Sequence, residues 1–148
     1  MKRLFKSLYA KVSNRYLLLK TLVLLNVIRL GLWLLPFQRL LKLIAYSEQH
    51  LSIRPNRQRP SIGKLVWLIN TATHHSPGGA KCLARALVAK ILFTQFGYSP
   101  NFKIGVAKGQ ENRLEAHAWI EYQGRVVIGH LSDLSRFIPL PSLEGISL

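Results

Sequence analysis

Two residues of this 148-residue sequence have types and positions that fit nucleophilic chemistry, Cys82 and His117. Cys82 follows a Pro-Gly-Gly turn sequence and stands in the first turn of a helix predicted over residues 80–96. The unpaired N–H groups and the dipole of a helix N-terminus favour a thiolate, and Lys81 and Arg85 add positive charge. A thiolate can attack a carbonyl carbon while the backbone N–H of Cys82 stabilises the oxyanion. The alternative interpretation is a small apolar core residue.

His117 lies in the sequence AHAWIEY, within a strand predicted over residues 114–122. Alternation along a strand puts His117, Trp119 and Glu121 on one face. A cysteine on a helix followed by a histidine on a later strand is the order of papain-like and transglutaminase-like sites. The alternative interpretation is a structural histidine that is hydrogen-bonded beside a tryptophan.

The elements that must position these residues are helical first and extended later, which predicts an α+β fold. Helical patterns cover residues 2–13, 15–35, 37–50, 62–73 and 80–96, and strand patterns cover residues 101–108, 114–122 and 125–129. Pro36 ends or kinks the second helix, and Ser61 is a candidate helix cap. Gln123 and Gly124 form the predicted tight turn of a hairpin.

The chain changes character near residue 60, at the polar, proline-containing stretch 53–61. Residues 1–60 carry twelve Lys or Arg and one acid, whereas residues 61–148 carry nine and five. We therefore divide the chain into a basic, apolar helical segment (1–60) and a core domain (61–148). A segment with a net charge of +11 is expected to meet an acidic peptide, protein, membrane surface or nucleic acid.

The apolar stretch Tyr16–Phe37 is the one candidate for a membrane segment, but Lys20, Asn26 and Arg29 interrupt it. A spanning helix needs roughly 20 mostly apolar residues, and a central charge costs about 3 kcal/mol. We interpret the stretch as a largely buried helix or one docked on a partner. The alternatives are a helix that lies on a membrane and one that spans it.

The sequence GAKCLARAL, followed after an apolar helix by AHAWIEYQGRVVIG, resembles the leader peptidases of lasso-peptide maturation, of the microcin-processing type. These enzymes belong to the transglutaminase-like superfamily of cysteine proteases, and the resemblance covers residues 60–145. It implies a transglutaminase- or papain-like core in which the active-site helix packs on an antiparallel sheet. It also implies that Cys82 is the nucleophile and His117 the general base.

The third catalytic position departs from the family, where a carboxylate on the next strand orients the histidine. A two-residue turn at Gln123 and Gly124 places His130 opposite His117, with no acid at that level. Glu121 shares the face of His117 but lies about 13 Å along the strand. We predict Asp133 as the orienting residue; His130 or a backbone carbonyl are the alternatives, and a helix cap is the other interpretation of Asp133.

The resemblance implies removal of the leader from a ribosomally made precursor peptide, with no cofactor. The freed core peptide then passes to an asparagine-synthetase-like macrolactam synthetase, which uses ATP. The family also uses a small leader-recognition domain containing a β-sheet. Because residues 1–60 have no strand pattern, we expect this domain to be a separate protein that docks on the helices of residues 1–50.

Other partners and chemistries are less well supported by the residues. His74 and His75 do not have a standard zinc spacing relative to Cys82, so no metal is expected. The basic run 54–59 has no interleaved aromatic residues, so we expect no nucleic-acid partner. A lone thiol suits a reducing cytoplasm. The rival functions are a transglutaminase-like acyltransferase and a non-catalytic basic adaptor that binds membrane or nucleic acid.

Overall fold

The computed structural model describes residues 2–50, 59–76 and 82–141. Helices come first in this part of the chain and a four-stranded sheet follows. The elements are α1 (Lys2–Leu34), α2 (Phe37–His50), α3 (Ile62–His75), α4 (Cys82–Gln95), β1 (Asn101–Lys108), β2 (Leu114–Tyr122), β3 (Arg125–Ile128) and β4 (Ile138–Pro139). The sheet is antiparallel with the order β3-β2-β1-β4. The predicted α+β class is confirmed.

The first two predicted helices form one continuous helix, α1, so the break placed between residues 13 and 15 is wrong. Ser13 and Asn14 are weak helix formers, but neither removes a backbone hydrogen bond, and the flanking residues favour a helix. The chain does break at Pro36, as the sequence predicts, because α1 ends at Leu34 and α2 begins at Phe37.

The interpretation of the apolar stretch as a largely buried helix is also wrong, and the interpretation as a helix docked on a partner stays a prediction. By length and composition, Ser13–Leu34 could cross a membrane. In the most apolar 18-residue part of this segment, however, only 17% of the residues are buried. Thr21, Leu25 and Ile28 are buried on the side of α1 that packs against α3 and α4. The side opposite these residues is exposed, because a helix at the periphery of a fold buries one face only.

Helix α4 runs through the centre of the core. Its fully buried residues include Ala86, Leu87, Val88 and Phe93, which contact both the other helices and one face of the sheet. That face supplies three buried residues of the same core: Ala118, Ile120 and Ile128. Leu25 and Leu40 also belong to it, so the hydrophobic core extends across the change in composition near residue 60.

The opposite face of the sheet has a small core of its own, formed by Ala107, Trp119 and Phe137. Phe137 is brought there by the segment between β3 and β4, which contains a 3-10 helix at Leu134–Arg136. The alternation along β2 therefore places Ala118 on the helical side and Trp119 on the other.

The hairpin of β2 and β3 has the predicted turn but not the predicted register throughout. Tyr122 pairs with Arg125, and Gln123 and Gly124 both have positive φ angles, as a type I′ turn requires. The register then shifts at a β-bulge, so that Ile120 pairs with Ile128. The extra residue moves the following pairs by one position, and the placement of His130 opposite His117 is therefore wrong.

Candidate active site

Cys82 is the first residue of α4 and is a partly exposed free thiol. The rest of α4 is held rigidly because it is buried among the other helices and the sheet. The backbone N–H groups of its first turn have no acceptor within the helix, and they are available to an anion or an oxyanion beside Cys82. The predicted turn at residues 77–79 and the charge of Lys81 lie outside the described residues.

Arg85 stands one turn after Cys82 and is the described cation that interacts electrostatically with it. Its Nη2 donates a hydrogen bond of 2.6 Å to Oδ1 of Asn70, which holds the side chain between α3 and α4. Burial lowers the pKa of Arg85, while its electrostatic interaction with Cys82 acts in the opposite direction. The predicted role of Arg85 as a source of positive potential at the thiol is consistent with this position.

The chain just before the site is anchored by a residue that the sequence analysis did not assign. Nη1 of Arg29, on α1, donates a hydrogen bond of 2.7 Å to Oγ of Ser76, which caps the C-terminal end of α3 and is buried. An arginine in the mostly apolar stretch Tyr16–Phe37 was the available signal, because such a residue needs a polar partner when its helix packs. Arg29 thus holds Ser76, the last described residue before Cys82, against α1.

The His117 ring is oriented by a backbone group. Its Nε2 atom lies 2.7 Å from the carbonyl oxygen of Gly129. A carbonyl oxygen can only accept a hydrogen bond, so Nε2 carries the proton and donates. In the neutral ring, Nδ1 is then the nitrogen with a free lone pair, and it is the atom of this ring that can act as a general base.

Aromatic residues hold the same ring in place. His117 stacks on Trp119 with an interplanar angle of 15° and contacts Phe137 at a centroid distance of 5.6 Å. Trp119 is fixed in turn by a hydrogen bond of 2.9 Å from Nε1 to Oε1 of Glu121. Glu121 therefore supports His117 indirectly, through the indole ring, at a distance along the strand that excludes direct contact.

Two glycines make this arrangement sterically possible. A Cβ atom at Gly105 would lie 2.8 Å from Cη2 of Trp119, so a side chain there would displace the indole ring. Gly129 has a φ of +83°, and a Cβ atom there would lie 2.8 Å from the carbonyl oxygen of Ala118. Glycine is therefore the residue type that fits at position 129, where the backbone carbonyl binds His117.

The structure gives Asp133 a different partner from the predicted one. Its Oδ2 atom accepts hydrogen bonds from Arg136, whose Nη2 also binds Glu115 at 2.7 Å. Hydrogen bonds to Glu115 and Asp133 raise the pKa of Arg136. Asp133 occupies the N-cap position of the 3-10 helix, but its side chain makes no cap hydrogen bond. His130 is exposed, and the described hydrogen bond of the His117 ring goes to the carbonyl of Gly129.

Helix α4 packs on the face of β2 that carries Ala118 and Ile120, whereas the His117 ring lies with Trp119 and Phe137 on the opposite face. Among the described residues no hydrogen bond joins the thiol to the imidazole, and catalytic pairs of this kind are often looser before substrate binds. His74 and His75 contact each other edge-on at the end of α3, and within the described parts of the chain no three metal-ligating side chains converge.

Comparison with known proteins identifies the superfamily to which the chain belongs. A family model described as the transglutaminase-like superfamily matches residues 23–142, which include about the last third of α1, the whole of α4 and the sheet. Neither the curated proteins nor the solved structures gave a match. With the family model covering most of its length, the chain belongs to the transglutaminase-like superfamily.

Proposed function

We propose that this protein is a cysteine peptidase that removes the leader from a ribosomally made lasso-peptide precursor. The observation that carries the proposal is the hydrogen bond from Nε2 of His117 to the Gly129 carbonyl, which leaves Nδ1 free as a base. His117 belongs to β2, the strand that packs against α4, with its ring on the Trp119 face of that strand, and Cys82 is the first residue of α4. Membership of a superfamily of cysteine-dependent enzymes supports the same roles.

In the proposed reaction, Nδ1 of His117 takes the proton of the Cys82 thiol as Sγ attacks the scissile carbonyl carbon. The backbone N–H of Cys82 donates to the oxyanion of the tetrahedral intermediate. The C–N bond then breaks, and the imidazolium of His117 gives its proton to the leaving amine. A water molecule attacks the resulting thioester, His117 accepts its proton, and that proton returns to the Cys82 sulfur when the carboxylic acid product leaves.

The substrate and partners follow from the resemblance of the motifs around Cys82 and His117. The substrate is a short precursor peptide with an N-terminal leader, which a separate leader-recognition protein delivers. The released core peptide is consumed by an asparagine-synthetase-like, ATP-using macrolactam synthetase. The described part of residues 1–60 is helical, which supports the assignment of leader recognition to another chain.

Hydrolysis and acyl transfer share the thioester, so one experiment can separate peptidase from acyltransferase. The full chain is incubated with a precursor peptide encoded by a neighbouring gene and with a biotin-labelled amine, and the products are read by mass spectrometry. We expect a free carboxylate on the leader fragment and negligible amine incorporation. Incorporation that competes efficiently with hydrolysis would establish the acyltransferase instead.

A second measurement tests whether the chain is an enzyme at all. Hydroxylamine added during turnover should capture the thioester as a leader hydroxamate with wild-type protein, and not with Cys82→Ala. His117→Gln should also give no hydroxamate, although its thiol is still present. Leader fragments formed equally by all three proteins would mean that a contaminating peptidase was measured and that the chain itself does not catalyse cleavage.

A further inference from the structure

Helix α1 carries an exposed apolar stripe on the side away from the core. Its residues follow one another at intervals of three or four, with two adjacent residues at the end, and each side chain is more than half exposed. They are Tyr16, Leu19, Val23, Val27, Leu30, Trp33 and Leu34. Such spacing places all of these side chains along one side of the helix over roughly 27 Å. Asn26 is the exposed polar residue among them, and a mostly apolar surface of this length on a folded protein marks an interaction site.

The charges around this stripe indicate what covers it. Helix α1 contains seven Lys or Arg and no acid. Lys11 and Arg15 are exposed near the start of the stripe, and Lys2 and Arg3 extend the basic region to the end of the helix. A protein partner is commonly matched by charges of both signs, whereas an anionic lipid surface is complementary to apolar side chains bordered by cations alone.

The positions of two aromatic residues fit the same partner. Tyr16 lies at the basic end of the stripe, and Trp33 lies at the other end with 80% of its surface exposed. Tyrosine and tryptophan are favoured at the boundary between lipid headgroups and acyl chains, where the ring is buried and its polar atom stays hydrated.

We propose that α1 is an interfacial helix, by which the folded protein binds the surface of a membrane rich in anionic phospholipid. The helix lies on the membrane and does not span it, because Thr21, Leu25 and Ile28 on its other side are part of the packed interior. Spanning would require these residues to leave α3 and α4. This surface is separate from the thiol and the imidazole, and the proposal does not depend on the reaction that they perform.

Flotation with lipid vesicles tests the proposal on the full chain. Wild-type protein should float with vesicles of equimolar phosphatidylcholine and phosphatidylglycerol, and much less with phosphatidylcholine alone. Val23→Gln with Val27→Gln should lower the partition coefficient about tenfold or more, because two exposed apolar contacts are lost. Lys11→Gln and Arg15→Gln should each lower it about fivefold at low salt. Leu114→Gln, which changes an even more exposed apolar residue outside α1, should bind like wild type.

Tryptophan fluorescence gives a measurement that does not depend on the folding of those variants. In Trp67→Phe, the remaining tryptophans are the exposed Trp33 and the buried Trp119. Anionic vesicles should shift the emission to shorter wavelength and reduce quenching by acrylamide, because Trp33 enters the interface.

Three results would overturn the proposal. The first is wild-type protein that stays unbound with both vesicle compositions. The second is vesicle binding that Val23→Gln with Val27→Gln leaves unchanged. The third is a protein complex that forms when no vesicle binding is seen and that the same double variant dissociates. The complex would be a dimer of this chain or one with the recognition protein, and the stripe would then be a protein interface.

Discussion

The ring of His117 is bound by the backbone of Gly129, with 2.7 Å between Nε2 and the carbonyl oxygen. A carboxylate orients this ring in the enzymes that the motifs resemble, whereas a neutral carbonyl group does so here. The carbonyl fixes the tautomer but offers the imidazolium less electrostatic stabilisation than a carboxylate would. We therefore propose that Cys82 and His117 are the two side chains that act in catalysis.

The first prediction concerns Gly129. Gly129→Ala should lower the free energy of unfolding by about 1–3 kcal/mol because its φ is positive. The new Cβ atom would also press on the carbonyl of Ala118 and shift the group that binds His117, so leader cleavage should fall at least tenfold. Gly124→Ala is the matched control, since its φ is also positive but nothing lies within 4 Å. It should lose stability and keep its activity; equal activity in both variants would contradict the role of Gly129.

The second prediction concerns Asp133, which the sequence analysis assigned as the orienting residue. Asp133→Asn should change the cleavage rate by less than about twofold, because the carboxylate binds Arg136 on an exposed surface. The melting temperature should barely move. His130→Gln is measured in parallel and should also be silent. A loss of orders of magnitude in Asp133→Asn, with an unchanged melting temperature, would restore the sequence-based assignment.

The third prediction concerns the nucleophile. Cys82→Ala should abolish leader cleavage, by about three orders of magnitude or more, because the attacking atom is removed. Peptide binding and the far-ultraviolet spectrum should be unchanged, since Cys82 is partly exposed and makes no described hydrogen bond. Cys82→Ser should be nearly as inactive, because a hydroxyl is not ionised at neutral pH. Cleavage above a few per cent of the wild-type rate in Cys82→Ala would remove Cys82 from the mechanism.

The fourth prediction concerns Arg85. Arg85→Gln should slow alkylation of Cys82 by iodoacetamide at neutral pH by about threefold to tenfold, because the thiolate loses a nearby cation. Asn70→Ala removes the hydrogen bond that holds the guanidinium and should give a smaller effect in the same direction. Arg85→Lys should recover part of the rate. Alkylation of Arg85→Gln at the wild-type rate would show that this cation does not act on the thiol.

The fifth prediction concerns the leader-recognition partner. The isolated chain should cleave its precursor slowly, and adding the separate recognition protein should raise the rate about tenfold or more at low substrate concentration by raising the local concentration of substrate. The stimulation should vanish when the leader sequence is scrambled, which serves as the control. Full activity of the chain alone, with no further increase from the partner, is the contrary result.

Local sequence signals predicted the elements of the core well. Alternation gave the strands at residues 101–108 and 114–122 with the bounds that the structure has, and Pro36 and Ser61 mark the ends of helices as predicted. These signals are short-range: they depend on a fixed φ at proline, on a cap side chain three residues from its donor, and on the two-residue period of a strand. The break predicted inside α1 failed because weak helix formers do not stop a helix.

The sequence by itself determined which residues are the candidates for the chemistry, since a cysteine at a helix start and a histidine in AHAWIEY are read from residue types and spacing. The tertiary structure alone decided what orients His117. A one-residue bulge between β2 and β3 changes which group stands opposite the ring, and a bulge arises from packing and strand twist that no local pattern encodes. The partner of Asp133 was hidden for a related reason. Arg136 is only three residues from Asp133, but it also binds Glu115 on β2, and that arrangement forms only when the chain has folded.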